Sequence, residues 1–225
     1  MLNESLEKLY LSHVLYRVKD LHTAVEKLEK AGFKVEYGTK KEKAYNAMIW
    51  FEDGVFIEIY ENSGLNYFIK LMMKIIGYQS VLDRMKKWDN VENGWCEWSL
   101  ESKKDDLDYY KKLFHELKIP FKFHRAKRID LYNQKLTWQL LMPTNIHFPF
   151  MMSAYSPSLK PVIIQHPNGV KSIKKLYVGK KNLDLNTLED LIIDFDQLEF
   201  IDKKTGLQTV EFYDSDLTIE SILNN

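Results

Sequence analysis

The chain has 225 residues, with 32 basic and 32 acidic side chains, so its formal net charge is zero. This balance gives no overall attraction to nucleic acid or to anionic membranes, and neither is expected as a partner. Cys96 is the only cysteine, which excludes an internal disulfide and a cysteine-based zinc site and is typical of a reducing compartment. The opening residues, MLNESLEKLY, lack the apolar stretch of a signal peptide, so a cytoplasmic protein is expected.

The first part of the chain predicts a β-α-β-β-β unit. Residues 11–18 alternate like a half-buried strand, and Asp20 stands at a helix N-cap position before apolar residues at helical spacing. Gly32 ends that helix, and a second strand follows it. The stretches NAMIWF and VFIEIYE then flank an Asp-Gly turn, which predicts a hairpin.

The connector after this unit is predicted to be helical over residues 64–88. An apolar stripe runs along it at helical spacing, formed by Leu65, Phe68, Met72, Ile75 and Ile76. We expect this stripe to pack against the sheets, because such spacing usually marks a buried helix face. A mobile lid and a homodimer contact are the alternatives.

The same order of elements recurs downstream. Asp20-Leu21 reappears as Asp106-Leu107, flanked by the strand WCEWSL and the strand pair KLTWQLLM and FPFMMSAY. A weaker copy begins at IKKLYVG. The repeats divide the chain into a first βαβββ module (1–62), a helical connector (63–92), a second βαβββ module (93–170) and a partial third βαβ-like module (171–225).

Several stretches, taken together and in order, resemble the glyoxalase-like domain family of the vicinal oxygen chelate superfamily. They are SHVLYRVKDL, AGFKVEYGTK, NAMIWFEDGVFIEIYE, LTWQLLMP, FPFMM and HPNG. The resemblance implies an α+β fold of tandem βαβββ modules whose curled mixed sheets enclose a shared cavity. It also implies that the first and last strands of each module supply metal ligands there.

The candidate metal ligands are His13, Glu58 and Glu97. Strand alternation puts His13 on the face opposite the helix, with Glu58 facing the same way in VFIEIYE. The resemblance makes these two the ligand positions of the first module, and register places Glu97 opposite His13 and Ser153 opposite Glu58. Such a set would suit zinc, manganese, iron or nickel, although serine is a poor ligand. A slip by one residue would point Trp98 into the cavity instead.

The same residues also support other roles. Glu58 and Glu97 are candidate catalytic acids or bases. The structural alternative is that His13 is an ordinary buried histidine, that Glu58 pairs with Arg17 and that no metal is bound. Cys96 is expected on the helix-packed face, where a thiol acts as a small apolar group.

Three further residues are weaker candidates for ligand contact. Asn46 lies where the related proteins often carry Gly-Thr-x-Asn, but Lys43-Ala44-Tyr45 precedes it here, so a turn role competes. Trp138 is either core or a cavity wall, and His166 of HPNG is either a hinge residue or part of the cavity rim. The basic stretch KFHRAKR binds an anion or, as the default, is simply solvated.

Two functions remain open from the sequence. One is an enzyme similar to glyoxalases and dioxygenases, with a divalent metal on His13 and Glu58 that chelates a small substrate. The other is a metal-free binding or sequestration protein, similar to the bleomycin-resistance members, that encloses a small organic molecule between aromatic-lined sheets. In both, the expected partner is a small-molecule ligand.

Overall fold

A computed structural model of the protein describes residues 7–63, 65–193 and 195–224. The first stretch of secondary structure has the order β-α-β-β-β. It comprises β1 (Tyr10–Arg17), α1 (Leu21–Lys30), β2 (Glu36–Tyr37), β3 (Asn46–Trp50) and β4 (Phe56–Tyr60). The Asp20 side chain accepts a hydrogen bond from the Thr23 amide and caps α1, as its position in the sequence predicts.

Two helices, α2 (Tyr67–Ile75) and α3 (Gln79–Asp89), form the connector. A single continuous helix was expected, but the chain turns at Gly77, whose φ of 81° is a conformation that favours glycine. The prediction that the apolar stripe is buried is wrong, because Phe68 and Ile75 on α2 are 68% and 69% exposed. It is α3 that packs against the sheet, through Val81 and its neighbours.

The second stretch repeats the order of the first. It comprises β5 (Gly94–Ser102), α4 (Asp108–Glu116), β6 (Phe121–Ile129), β7 (Lys135–Pro143) and β8 (Phe150–Ser153). A last group follows, with β9 (Ile173–Gly179), α5 (Leu185–Leu191), β10 (Leu198–Ile201), β11 (Gly206–Phe212) and α6 (Ile219–Asn224). Among the described residues, no helix is long and apolar enough to cross a membrane.

Eight of the described strands form one curled sheet in the order β2-β3-β4-β1-β5-β8-β7-β6. The order within the first half is mirrored in the second, with β1 and β5 paired antiparallel at the centre. Each central strand also pairs in parallel with the last strand of its own stretch, β1 with β4 and β5 with β8. The predicted α+β fold of tandem modules with curled mixed sheets around a shared cavity is confirmed.

The convex side of this sheet carries the main apolar core. Helices α1 and α4 and the separate three-stranded sheet, ordered β10-β9-β11, contribute to one cluster that includes Tyr16, Trp98, Phe114 and Phe212. The concave side holds the cavity beneath α3, and none of the described residues of the third group lines it.

A shift of register in β5 changes which residues face the cavity. Leu15 pairs with Glu97 but the next residue, Tyr16, pairs with Trp95, so Cys96 is the extra residue of a β-bulge. Cys96 consequently packs with Leu15 on the concave side, while Trp98 stays on the convex side. The expectation that Cys96 shares the face of Trp98 is wrong for this reason.

Candidate functional site

A cavity of about 190 Å³ lies between the two halves of the curled sheet, with α3 above it. Its wall is mainly aromatic and aliphatic, and the side chains that line it include Leu15, Met48, Phe56, Val81, Met85, Trp88, Trp138, Leu140, Met142, Phe150, Met152 and Tyr155. Five residues with strongly polar side chains join this wall: His13, Asn46, Glu58, Arg84 and Arg128. Such a wall, apolar with a few polar groups, is typical of small-molecule sites.

The imidazole of His13 is held tightly in this wall. It is 5% exposed and stacks on Phe56, with ring centroids 4.5 Å apart. Its Nδ1 lies 3.0 Å from the Ser12 hydroxyl and 2.8 Å from the Ser99 hydroxyl. These contacts leave Nε2 as the ring atom directed at Glu58.

The hydrogen bonds of the two hydroxyls favour one tautomer of His13. Ser12 donates its proton to the Glu101 carboxylate at 2.8 Å, and Ser99 has an acceptor in the His13 carbonyl at 3.2 Å. Both hydroxyl oxygens then present lone pairs to Nδ1, so the network is satisfied when Nδ1 carries the hydrogen. In this tautomer, Nε2 is a hydrogen-bond acceptor at the cavity.

Glu58 faces that acceptor. Its Oε2 lies 3.5 Å from Nε2 of His13, and its Oε1 accepts a hydrogen bond from Asn46 at 2.6 Å. Burial lowers the pKa of His13 to about 3, and burial also raises the pKa of Glu58, against the opposing effects of Asn46 and Arg128. Because His13 is neutral at neutral pH, the pair is not an ion pair there.

Glu58 does not pair with Arg17 in the structure. The Arg17 guanidinium instead donates to the backbone carbonyl of Glu92 at 2.9 Å. Glu58 is thus held by Asn46 and His13 within the cavity.

Glu97, the third candidate ligand, is fully engaged elsewhere. Its Oε2 accepts hydrogen bonds from Arg84 at 2.6 Å, Lys87 at 2.9 Å and the Trp88 indole at 3.1 Å. Burial acts to raise its pKa, but the charges of Arg84 and Lys87 together with these hydrogen bonds hold the pKa below its ordinary value. Glu97 is accordingly a buried anion that fastens α3 to the sheet rather than an open donor.

The second module places different residues opposite the first-module pair. Ser99 contacts His13 directly, and Met152 lines the cavity. Ser153 is fully buried outside the cavity wall, where its hydroxyl accepts from the Gln139 amide and donates to the Ala154 carbonyl. The register assumed from the sequence is one residue out at this strand, because β8 pairs Met152 with Glu101 and Ser153 with Ser102.

The remaining candidates divide between the cavity and other places. Asn46 and Trp138 line it, and the Trp138 ring lies 5.1 Å from that of Tyr155. Trp98 lies in the convex core and is 1% exposed. His166 lies apart, where it accepts from the Lys34 amide at 3.0 Å and donates to the Trp50 carbonyl at 2.9 Å, as a residue fastening its loop would.

Arg128, the last residue of the basic stretch KFHRAKR, belongs to the cavity. This stretch is β6, and its alternation sends Arg125 and Lys127 to the exposed face and Arg128 to the cavity. The Arg128 guanidinium carbon is 5.9 Å from the ring centroids of both Trp138 and Tyr155. A period-two reading of this basic run would have separated Arg128 from its neighbours.

The donors at the cavity do not fit a catalytic divalent metal. Such a metal takes about three protein ligands, and His13 and Glu58 supply two. The carboxylate of Glu97, the expected third ligand, is paired with Arg84 and Lys87. Where a further ligand would be expected from the second module, the cavity wall has the thioether of Met152. No group of three or more His, Cys, Asp or Glu side chains suited to a metal occurs in the described part of the chain.

Comparisons with known proteins show which family the chain belongs to. A search of curated proteins found no match. A hypothetical protein from Staphylococcus aureus has a similar fold, with a TM-score of 0.55 and 16% identity over 93% of this chain and 84% of that one. The family model described as "Glyoxalase-like domain" matches residues 11–189. The chain therefore belongs to the glyoxalase-like domain family, within the vicinal oxygen chelate superfamily.

Proposed function

We propose that the protein binds a small organic molecule with an apolar or aromatic body in the cavity between its two modules. The observation that carries this proposal is the wall itself, in which aromatic rings and methionines surround a His13–Glu58 pair whose Nε2 and carboxyl are directed at the same space. Burial of apolar ligand surface would supply most of the affinity, and the polar pair would fix the orientation.

Binding without a catalytic metal is the better supported of the two candidate activities. The donor set argues for it, because Arg84 and Lys87 already neutralise Glu97. Metal-dependent lyase, isomerase or dioxygenase chemistry would need a third histidine, cysteine or carboxylate ligand, and among the described residues of the wall His13 and Glu58 are the two side chains of these types.

Ligand screening tests the proposal. Small aromatic compounds should raise the melting temperature of the protein, because a ligand that binds only the folded state stabilises it. Glu58→Gln and His13→Ala should each weaken the best compound by about tenfold, as expected for one lost hydrogen bond of roughly 1 kcal/mol or slightly more. Ser153→Ala is the matched control and should leave the affinity unchanged, because Ser153 lies outside the wall.

Metal analysis separates the two activities. Protein purified without a histidine tag should contain no stoichiometric zinc, manganese, iron or nickel, and added metal should leave its melting temperature unchanged. One equivalent of tightly bound metal that disappears in His13→Ala would instead favour the metal-dependent activity.

A further inference from the structure

We propose that the ligand of this cavity carries a small oxyanion, a carboxylate on an aromatic or apolar body, and that Arg128 binds it. The inference rests on the proposed function, since it names the class of molecule that the cavity takes. It follows from the position of Arg128, from its lack of an ionic partner and from the rings beside it.

The pairing of β6 with β7 fixes the direction of Arg128. Arg128 pairs with Leu136 and Ala126 pairs with Trp138, so these residues share one face of the two strands. Trp138 lines the cavity from that face, and Arg128 joins it. Arg125 lies on the other face, where its side chain is exposed.

Arg128 also reaches across to the first module. A Cβ atom built at Gly38 would lie 2.9 Å from Nη1 of Arg128 and 2.1 Å from Oδ1 of Asn46. The absence of a side chain at Gly38 therefore leaves room for the guanidinium beside Asn46, close to Glu58. An edge strand of one module thus places a cation beside the polar group of the other.

The positive charge of Arg128 acts on Glu58 and Glu36, where it opposes the rise in pKa that burial causes, but the guanidinium has no direct ion pair with any residue that the structure describes. Arg128 forms no ion pair within 4.0 Å with any carboxylate in the described residues, and its Nε is buried without a hydrogen-bond partner. A buried donor left unpaired is destabilising, and more so when the group is charged. A ligand carboxylate would remove that destabilisation, because arginine binds carboxylates through two parallel hydrogen bonds.

The other ionisable groups at the cavity have partners within the protein or are neutral. Arg84 is paired with Glu97 at 2.6 Å, so it is less available than Arg128. The Glu58 carboxyl is held by Asn46, and His13 is neutral. The rings of Trp138 and Tyr155 flank the guanidinium and offer a surface for the body of an aromatic acid.

The test uses pairs of probes that differ only in charge. A panel of small aromatic acids, such as benzoate and phenylacetate, is titrated calorimetrically beside the corresponding amides. The wild-type protein should prefer the acid of a pair by at least about tenfold, since a charged hydrogen bond is worth about 1.5–3 kcal/mol. Added salt should reduce this preference.

Two variants locate the preference. Arg128→Gln should abolish the preference for acids while still binding the amides, and Arg128→Lys should retain part of it. Arg125→Gln, on the exposed face of the same strand, should behave like the wild type. If Arg128→Gln does not fold, Arg128→Lys carries the test: a preference for acids as large as that of the wild type would overturn the assignment to Arg128.

The outcomes separate the two proposals. Amides that bind as well as acids, or a preference for acids that survives in Arg128→Gln, would overturn the assignment to Arg128 while leaving the cavity a ligand site. Acids and amides that all fail to bind would overturn the proposed function and this inference together.

Discussion

At the scale of single residues, the chemistry of the cavity depends on a histidine that is buried and neutral. Strand alternation correctly puts His13 and Glu58 on one face, because β1 and β4 are regular and paired side by side. The hydroxyl network around Nδ1 could not be read from the sequence, since it brings together Ser12 and Ser99 from different modules. The metal-binding role of His13 and the metal-binding and catalytic roles of Glu58 remain predictions.

The buried imidazole should make the protein sensitive to acid. The ordinary pKa of histidine is 6.5, and burial lowers that of folded His13 to about 3. Between these values the unfolded chain binds a proton that the folded chain does not, so this contribution to stability is complete above pH 6.5 and is lost as the pH falls. The loss is at most about 1.4 kcal/mol per pH unit.

Urea unfolding between pH 7 and pH 4 measures this contribution. The unfolding free energy of the wild type should fall with acid more steeply than that of His13→Gln, which has no titrating group at this position. Equal slopes would mean that His13 is protonated in the folded protein much as it is in the unfolded chain.

The tautomer of His13 is a separate prediction. Nitrogen-15 NMR at pH 7 should show Nδ1 protonated and Nε2 unprotonated, because Ser12 is committed to Glu101. Glu101→Gln should increase the population of the other tautomer, since it weakens the acceptor that fixes the Ser12 hydroxyl. A wild-type ring protonated at Nε2 would contradict the network.

Glu97 is expected to act on stability. Glu97→Gln leaves Arg84 buried without a counterion, and breaking a buried pair in this way costs about 3–5 kcal/mol. Chemical unfolding measures the change. Glu92→Gln, at an exposed neighbouring carboxylate, should change the unfolding free energy by less than about 0.5 kcal/mol. A similarly small effect of Glu97→Gln would show that the Arg84–Glu97 pair adds little to stability. Glu97 would then again be a candidate site residue.

At the scale of elements, regular strands and capped helices are predictable and irregular ones are not. The helix after Asp20 and the hairpin around the Asp-Gly turn occur where local signals place them. The bulge at Cys96 depends on pairing between β1 and β5, which no local pattern encodes. The exposure of α2 could not be predicted, because periodicity shows that a helix has an apolar face but not what covers that face.

Helix α2 should respond to ligand through α3. Few side chains of α2 pack on the protein, but Met73 joins Val81 and Phe150 in the cluster beside the cavity. An unpacked helix opens readily and is cleaved there, whereas a ligand that fills the cavity should strengthen this cluster. We expect an aromatic ligand to slow proteolysis within Tyr67–Ile75 several-fold relative to cleavage elsewhere. Equal cleavage rates with and without ligand would exclude a lid role for α2.

At the scale of the whole molecule, the duplication of the βαβββ module makes the fold predictable. The two modules have diverged in sequence, which limits what the duplication says about the site. The repeat of Asp20-Leu21 at Asp106-Leu107 reveals two related halves, and the family relationship follows the same stretches. The halves have not kept the same cavity residues, since Met152 lines the wall where the first module has Glu58. Three-dimensional pairing is therefore needed to decide which side chains meet.

The methionines offer the most direct test of the central proposal, that a small organic molecule binds between the two modules. Met48, Met85, Met142 and Met152 line the cavity, whereas Met72 is exposed on α2 and Met151 lies in the convex core. NMR spectra of protein labelled at the methionine methyl carbons, recorded during titration with an aromatic ligand, should show saturable shifts at the four cavity methionines and little change at Met72 and Met151. Saturable shifts confined to Met72, or none at any methionine across a broad set of ligands, would contradict a binding site between the modules.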